Sequence, residues 1–197
     1  LVYNYNYGRY LEACLESLFS QTYPNIEVNF SDNASTDDSW DIALKFSHKY
    51  RDRMTVTRNR KNFGSDANFA NCWVNNRGKY FVTMCSDDML APEYVERCVQ
   101  VLEANENVFY VMVHRAIIDN TGAKTDEAPF YNRSCIVPGH EQAAVYMMAA
   151  VNPSVSQIMY RRESKEVNSH RYLGGRWYVS RVGDFLLCTQ FDMAYIK

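Results

Sequence analysis

Strand-like and helical periods alternate along the first 100 or so residues of this chain. That pattern folds as an α/β domain on a parallel sheet, because right-handed crossovers return each strand in the same direction. Tyr10, Leu11, Cys14, Leu15, Leu18 and Phe19 recur at helical spacing, and Gln21-Thr22-Tyr23-Pro24 closes that segment before a strand over 26–31. Ser35-Thr36-Asp37-Asp38 offers a cap and an acidic first turn to a helix carrying Trp40, Ala43, Leu44 and Phe46. A strand over 54–57, a turn at Asn62-Phe63-Gly64, a helix over 67–76 and a strand over 80–85 follow. Pro92 then opens a helix with Val95, Cys98, Val99 and Leu102 on one face. Strands over 108–113 and 115–119 precede a Thr121-Gly122 turn, and beyond it the pattern loosens to a helix over 141–150, a strand over 158–160 and a polar, loop-rich tail. The first part reads as repeated βα units, the remainder as an addition that could shape a second pocket.

With 197 residues, 47% of them hydrophobic, the chain can bury the core such a sheet requires, and one domain over 1–197 is the expectation. Net charge is −2 and Lys and Arg are scattered, so nothing supplies the continuous basic surface that nucleic acid needs. Nucleic acid is therefore not an expected partner. The six cysteines (Cys14, Cys72, Cys85, Cys98, Cys135, Cys188) contain no Cys-x-x-Cys pair, which argues against structural zinc. Several sit in apolar patterns where a free thiol acts as a small hydrophobe, as in a reducing, cytoplasmic setting. No apolar run approaches a membrane span, although a parent protein could still associate with a membrane surface. The chain opens at Leu1-Val2-Tyr3 without an initiator Met and stops at Ile196-Lys197, as an excerpt of a longer protein would.

In a parallel sheet the strand ends after Tyr3, Ser31, Arg58 and Cys85 emerge on one edge, the edge where α/β sheets bind ligands. That edge carries Asp32, Asn33, Asp87 and Asp88. Adjacent carboxylates repel and persist most easily with something cationic between them, so a divalent metal carrying a diphosphate is the leading candidate at Asp87-Asp88. An exposed acidic turn before a helix reads the same way. Glycine-rich phosphate-cradling loops are missing, since Gly8 stands alone after the first strand, and a metal-neutralised diphosphate fits better than a backbone-cradled one.

Taken in order, Tyr3-Asn4, Tyr10-Leu11, Ser17-Leu18, Gln21-Thr22-Tyr23-Pro24, Ser31-Asp32-Asn33-Ala34-Ser35-Thr36-Asp37, Asn62-Phe63-Gly64, Gly78-Lys79-Tyr80, Ser86-Asp87-Asp88 and Pro92 resemble the motif series of family 2 glycosyltransferases. These are inverting nucleotide-sugar enzymes, and the resemblance runs from residue 1 to about 120. It implies an α/β, GT-A fold, a Rossmann-like, mostly parallel central sheet flanked by helices. It also implies a nucleotide-sugar-binding part over 1–120 and an acceptor-side part over 121–197. By the resemblance, Tyr3 stacks on the nucleotide base, or is simply a packed aromatic at a strand end. Asp32 contacts base and ribose rather than capping a helix. Asn33 stands where the family has a second acid; its carbonyl can accept from a base imide, but its amide also donates. Asn62 joins these as a nucleotide-contacting residue. The family's Asp-x-Asp metal motif places its first acid at Cys85 and its second at Asp87, with Asp88 adjacent. Mg or Mn is the implied ion, and some members work with a comparable x-Asp-Asp arrangement.

An inverting reaction also needs a base opposite the leaving group. The resemblance assigns it to Asp184 in Arg181-Val182-Gly183-Asp184-Phe185-Leu186-Leu187, downstream of Gly174-Gly175. The other reading of Asp184 is a helix cap before Phe185. Asn152-Pro153-Ser154 resembles an acceptor-side loop, and Trp177 and Tyr178 could stack on a sugar or pack in a core. His114 reads as a satisfied core residue, His140 and His170 as loop residues, and Arg161-Arg162 as a solvated pair or a phosphate contact. The function implied is transfer of a sugar from a UDP- or dTDP-sugar donor to a hydroxyl of a glycan or lipid-linked glycan acceptor. A catalytically silent nucleotide-sugar or glycan binding module is the alternative, motivated by Cys85 and Asn33. A nucleotidyltransferase would share the sheet but should carry a Gly-rich basic loop where Tyr3-Asn4-Tyr5-Asn6-Tyr7-Gly8-Arg9 stands.

Overall fold

The computed structural model describes residues 1–148, 153–162 and 179–197, and these form two compact units, Leu1–Arg97 and Cys98–Lys197.

The first unit runs β1 (Val2–Asn4), α1 (Gly8–Phe19), β2 (Val28–Asp32), α2 (Ser39–Lys49), β3 (Met54–Arg58), α3 (Ser65–Val74), β4 (Tyr80–Val82) and β5 (Met84–Cys85), and ends within α4 (Tyr94–Ala104). Its sheet has the order β3-β2-β1-β5, and every pairing is parallel. Val2, Phe30, Met54 and Met84 bury one face of it against Leu11, Cys14, Leu15 and Leu18 of α1 and Ala43 and Phe46 of α2. Side chains alternate along a strand, so the neighbours of these residues face the other way and meet α3. There Tyr3 meets Phe69 edge-on and Ser31 Oγ donates to Asn68 Oδ1 at 2.7 Å. Phe19 stacks on Tyr50 at 3.8 Å, joining the ends of α1 and α2.

The strand expected over 80–85 divides at Thr83, because β1 is three residues long and offers partners only to Met84 and Cys85. Gln21, from the closing motif of α1, clamps the end of that helix to the approach of α4. Its amide donates to Ser17 O (3.0 Å) and Ala91 O (2.8 Å), and its carbonyl accepts from Val95 N (3.0 Å).

The second unit contains β6 (Val108–Val113), β7 (Ala116–Ile118), β8 (Lys124–Asp126), β9 (Cys135–Val137), α5 (Gly139–Met148), a 3-10 turn at Val155–Gln157, β10 (Ile158–Arg161), α6 (Val179–Cys188) and β11 (Asp192–Ile196). β6 pairs antiparallel with β10 and parallel with β11, which pairs antiparallel with β9; β7 and β8 form a hairpin over the Gly122 turn. The loop-rich tail expected at the C-terminus is corrected by α6 and by β11, an inner strand. Met193, Ala194, Tyr195 and Ile196 are all buried, so β11 shows no alternation by which its sequence could announce a strand. α5 begins two residues earlier than expected, at Gly139, where a Cβ would lie 1.9 Å from Phe191 O. Arg161 is not solvated. It is buried and donates to the Val108 carbonyl at 2.7 Å, the Asn105 carbonyl at 3.0 Å and the Leu102 carbonyl, satisfying the open end of α4. Among the described residues no helix is long and apolar enough to cross a membrane.

Candidate active site

Parallel register brings the ends of β1, β2, β3 and β5 level: Asn4 opposes Asp32, Asp32 opposes Arg58, and Tyr3 opposes Cys85. The edge read from the sequence therefore exists, and it gathers Tyr3, Asp32, Asn33, Asn62, Asp87 and Asp88 within the first unit.

Asp32 is wholly buried and its carboxylate is ringed by donors. Oδ1 accepts from Asn4 Nδ2 (3.1 Å) and Ser35 Oγ (2.5 Å), and Oδ2 from the Ser35 N–H (2.9 Å), with Arg58 Nε at 3.2 Å. Arg58 also donates to Ser35 O at 2.8 Å and lies over the Trp40 ring. These bonds hold a tight turn in which Ala34 adopts φ +61°, a left-handed conformation costly for a residue with a Cβ. Gly8 starts α1 against the same turn. Its N–H donates to Asp37 Oδ2 at 2.8 Å, and an added Cβ would fall 1.8 Å from Asp38 Oδ1. Partial burial pushes the Asp37 carboxyl up, but bonds from Ser39 and Gly8 hold it below the ordinary aspartate value.

Asn33 is buried too, and its amide is used on both sides. Nδ2 donates to Asn62 Oδ1 (2.7 Å) and Gly64 O (3.2 Å), while Oδ1 accepts from Asn59 Nδ2 (2.9 Å) and Phe63 N (3.0 Å). Asn62 Oδ1 also accepts the Gly64 N–H at 2.9 Å, and Asn59 continues the network to Asn71 and Asn68.

At the end of β5, the Cys85 thiol and the carboxylates of Asp87 and Asp88 lie within 4.8 Å of one another. A turn closed by Asp88 N–H on Cys85 O (3.1 Å) folds them together, and buried Ser86 anchors it by donating to Tyr3 O at 3.3 Å. Asp87 is exposed, and Cys85 and Asp88 are half-buried. The Tyr3 hydroxyl sits 4.0 Å from Cys85 Sγ; burial, then Cys85 and the acid pair, raise its pKa, keeping it a neutral donor. Two convergent carboxylates suit a hard divalent ion such as Mg or Mn, whereas the thiol is a softer ligand.

Asp184 lies in the second unit, inside α6 rather than ahead of it, which removes the capping reading. With Leu187 and Cys188 it shares the buried face at helical spacing. Its Oδ1 accepts from Tyr160 OH at 2.8 Å, beside Tyr110, whose hydroxyl meets Tyr146 OH (3.0 Å) and Cys188 Sγ (3.2 Å). Burial raises the Tyr110 and Tyr146 hydroxyls and pushes the Cys188 thiol up to about 11, so all three are protonated at neutral pH.

His114 is satisfied, with Nδ1 3.2 Å from Tyr195 OH and Nε2 3.7 Å from Asp126. Asn152, His170, Gly174, Gly175, Trp177 and Tyr178 lie outside the described residues. Sequence reading gave Ser35 only a place in a helix-capping motif and Arg58 only a strand end, and it gave no role to Asn59 or Tyr160. A serine three residues after a buried acid and an arginine ending the next strand are signals that could have found the first two.

Residues 1–167 match the family described as Glycosyl transferase family 2, and the chain belongs to that family. An uncharacterized glycosyltransferase of Nostoc sp. is 27% identical over 195 residues, covering 97% of this chain and 58% of its own length. Among solved structures, S. aureus TarS 1–349 in complex with UDP-GlcNAc superposes with a TM-score of 0.71 at 18% identity, covering 98% of this chain and 56% of that one. Mannosyltransferase PcManGT from Pyrobaculum calidifontis, in complex with GDP-Man and Mn2+, gives 0.64 at 17%, covering 100% and 52%. The α/β, GT-A fold expected from the sequence is the fold found. The chain spans a little over half the length of such relatives.

Proposed function

We propose that this chain is the catalytic domain of an inverting glycosyltransferase of polysaccharide or glycan biosynthesis. It would move a sugar from a UDP- or dTDP-sugar to a hydroxyl of a glycan or lipid-linked glycan, on the cytoplasmic side and at a membrane surface through its parent protein. The observation that carries this is the convergence of Asp87 and Asp88 at the C-terminal edge of a parallel sheet in a chain of this family. The Mn2+ and sugar nucleotide named for the mannosyltransferase, and the UDP-GlcNAc named for TarS, support a donor of this class.

Asp87 and Asp88 would hold a Mg or Mn ion, which offsets charge on the departing diphosphate. Tyr3 contributes an aromatic face for the base, and Asn62 and the Asp32 turn frame the nucleotide. Asp184 would accept the acceptor hydroxyl's proton as the new carbon–oxygen bond forms and the bond to the diphosphate breaks. Tyr160 donates to one Asp184 oxygen and so fixes the orientation of the carboxylate.

Calorimetry with uridine diphosphate, with and without Mn, tests the donor site, and Asp184→Asn tests the base. Donor affinity should stay near wild type in this variant while turnover falls about a hundredfold. Unchanged turnover removes Asp184 from the mechanism. Cys85 in place of an acid motivates a second reading, a catalytically silent binding module; metal-dependent donor hydrolysis by the wild type would eliminate it.

A further inference from the structure

We propose that Asn33 is a positioning residue. Its amide fixes the Asn59–Gly64 segment against the strand ends, and the order of that segment, not contact between residue 33 and the base, sets nucleotide affinity. This rests on the donor-site reading above.

All four hydrogen-bonding capacities of the Asn33 amide are engaged within the protein: two donors on Asn62 Oδ1 and Gly64 O, and an acceptor shared by Asn59 Nδ2 and Phe63 N. The two acceptors it serves explain why an amide stands here. A carboxylate would keep the bonds from Asn59 and Phe63, yet it has no proton to give, and its charge would face Asn62 Oδ1 and Gly64 O. Asn62 cannot simply turn its own amide over to compensate, because the same oxygen receives the Gly64 N–H. Gly64 matters in turn: it takes φ +89° and leads into α3, whose Asn68 reaches back to Ser31 and to the Asn4 carbonyl. The amide thus joins the end of β2 to the start of α3, with the exposed Asn62 and Phe63 carried between them.

The two roles for residue 33 predict opposite signs for one substitution. If it reads the base, Asn33→Asp supplies a better acceptor for a uracil imide and should tighten uridine diphosphate and widen its preference over guanosine diphosphate. If it positions the loop, Asn33→Asp should weaken both nucleotides by about tenfold, leaving their ratio unchanged. Measured against wild type at each pH, the loss should then shrink as pH is lowered and the new carboxyl regains a proton to donate, a rescue that general destabilisation would not show. Asn62→Ala cuts the same link from its other side, so it should reproduce the loss, and the double variant should be no weaker than the worse single one.

Calorimetry of wild type, both single variants and the double variant with uridine and guanosine diphosphates in Mn measures all of this. A changed nucleotide ratio, or additive losses, overturns the proposal. Should wild type bind neither nucleotide, the donor-site reading fails instead. The Asn33 role is then judged by amide exchange of Phe63, which should accelerate in Asn33→Ala; unchanged exchange overturns it.

Discussion

At the end of β2 one carboxylate, Asp32, is buried among donors that include Arg58; at the end of β5 two carboxylates and a thiol converge, one carboxylate in open solvent. Both ends lie on one edge of one sheet, so topology does not separate them. What separates them is what the neighbouring strand delivers. β3 ends in Arg58 opposite Asp32, so the charge of Asp32 is offset from inside the protein. β5 pairs with β1, which brings Tyr3, a neutral hydroxyl. A buried acid with its own arginine is neutralised from within the protein, whereas convergent carboxylates offer the ligand set that a hard divalent cation takes.

Four substitutions can break or sharpen that contrast. The largest effect is expected at the scaffold end: Asp32→Ala leaves Arg58, Asn4 and Ser35 without their shared acceptor and should cost about 3 kcal/mol of stability. Urea denaturation measures it, and a change of only a few tenths would mean that the turn holds without its acid. Next in size, Asp87→Asn or Asp88→Asn should weaken Mn-dependent binding of uridine diphosphate by about tenfold or more, while the metal-free melting temperature holds or rises slightly because repulsion is relieved. A fall in melting temperature matching the loss of binding would make this corner scaffold as well. The smallest effect is expected from Cys85→Asp, which replaces a soft ligand with a hard one and should raise Mg affinity about threefold with no change in fold. Weaker Mg binding in that variant would show that three acids crowd the corner.

The same contrast marks what was readable in advance. Asp87 and Asp88 are adjacent in sequence, and their convergence needs only a strand followed by a turn. The state of Asp32 and Asn33 could not be read in this way, because their partners Arg58, Asn59 and Asn62 arrive from 26 to 29 residues away, through a helix and a strand. A residue's type records its capacity to donate or accept, not whether that capacity is already filled. Asn33 reads as a contact to a base imide for this reason, and within the protein its amide serves two acceptors.

Periodicity alone determined the parallel sheet, its strand ends and the side of the sheet that carries the acids, since crossover handedness and side-chain alternation are local rules that leave few topologies. Tertiary structure decided the rest. β11 is a strand because β6 and β9 flank it, not because its five residues alternate. Arg161 is buried because carbonyls at and just after the end of α4 need donors, and that helix lies more than 50 residues earlier in the chain. Asp184 sits mid-helix on a buried face, where Tyr160 meets it. In each case the deciding term is the cost of leaving a buried polar group or an apolar edge without a partner, and that cost is set by residues that only folding brings near.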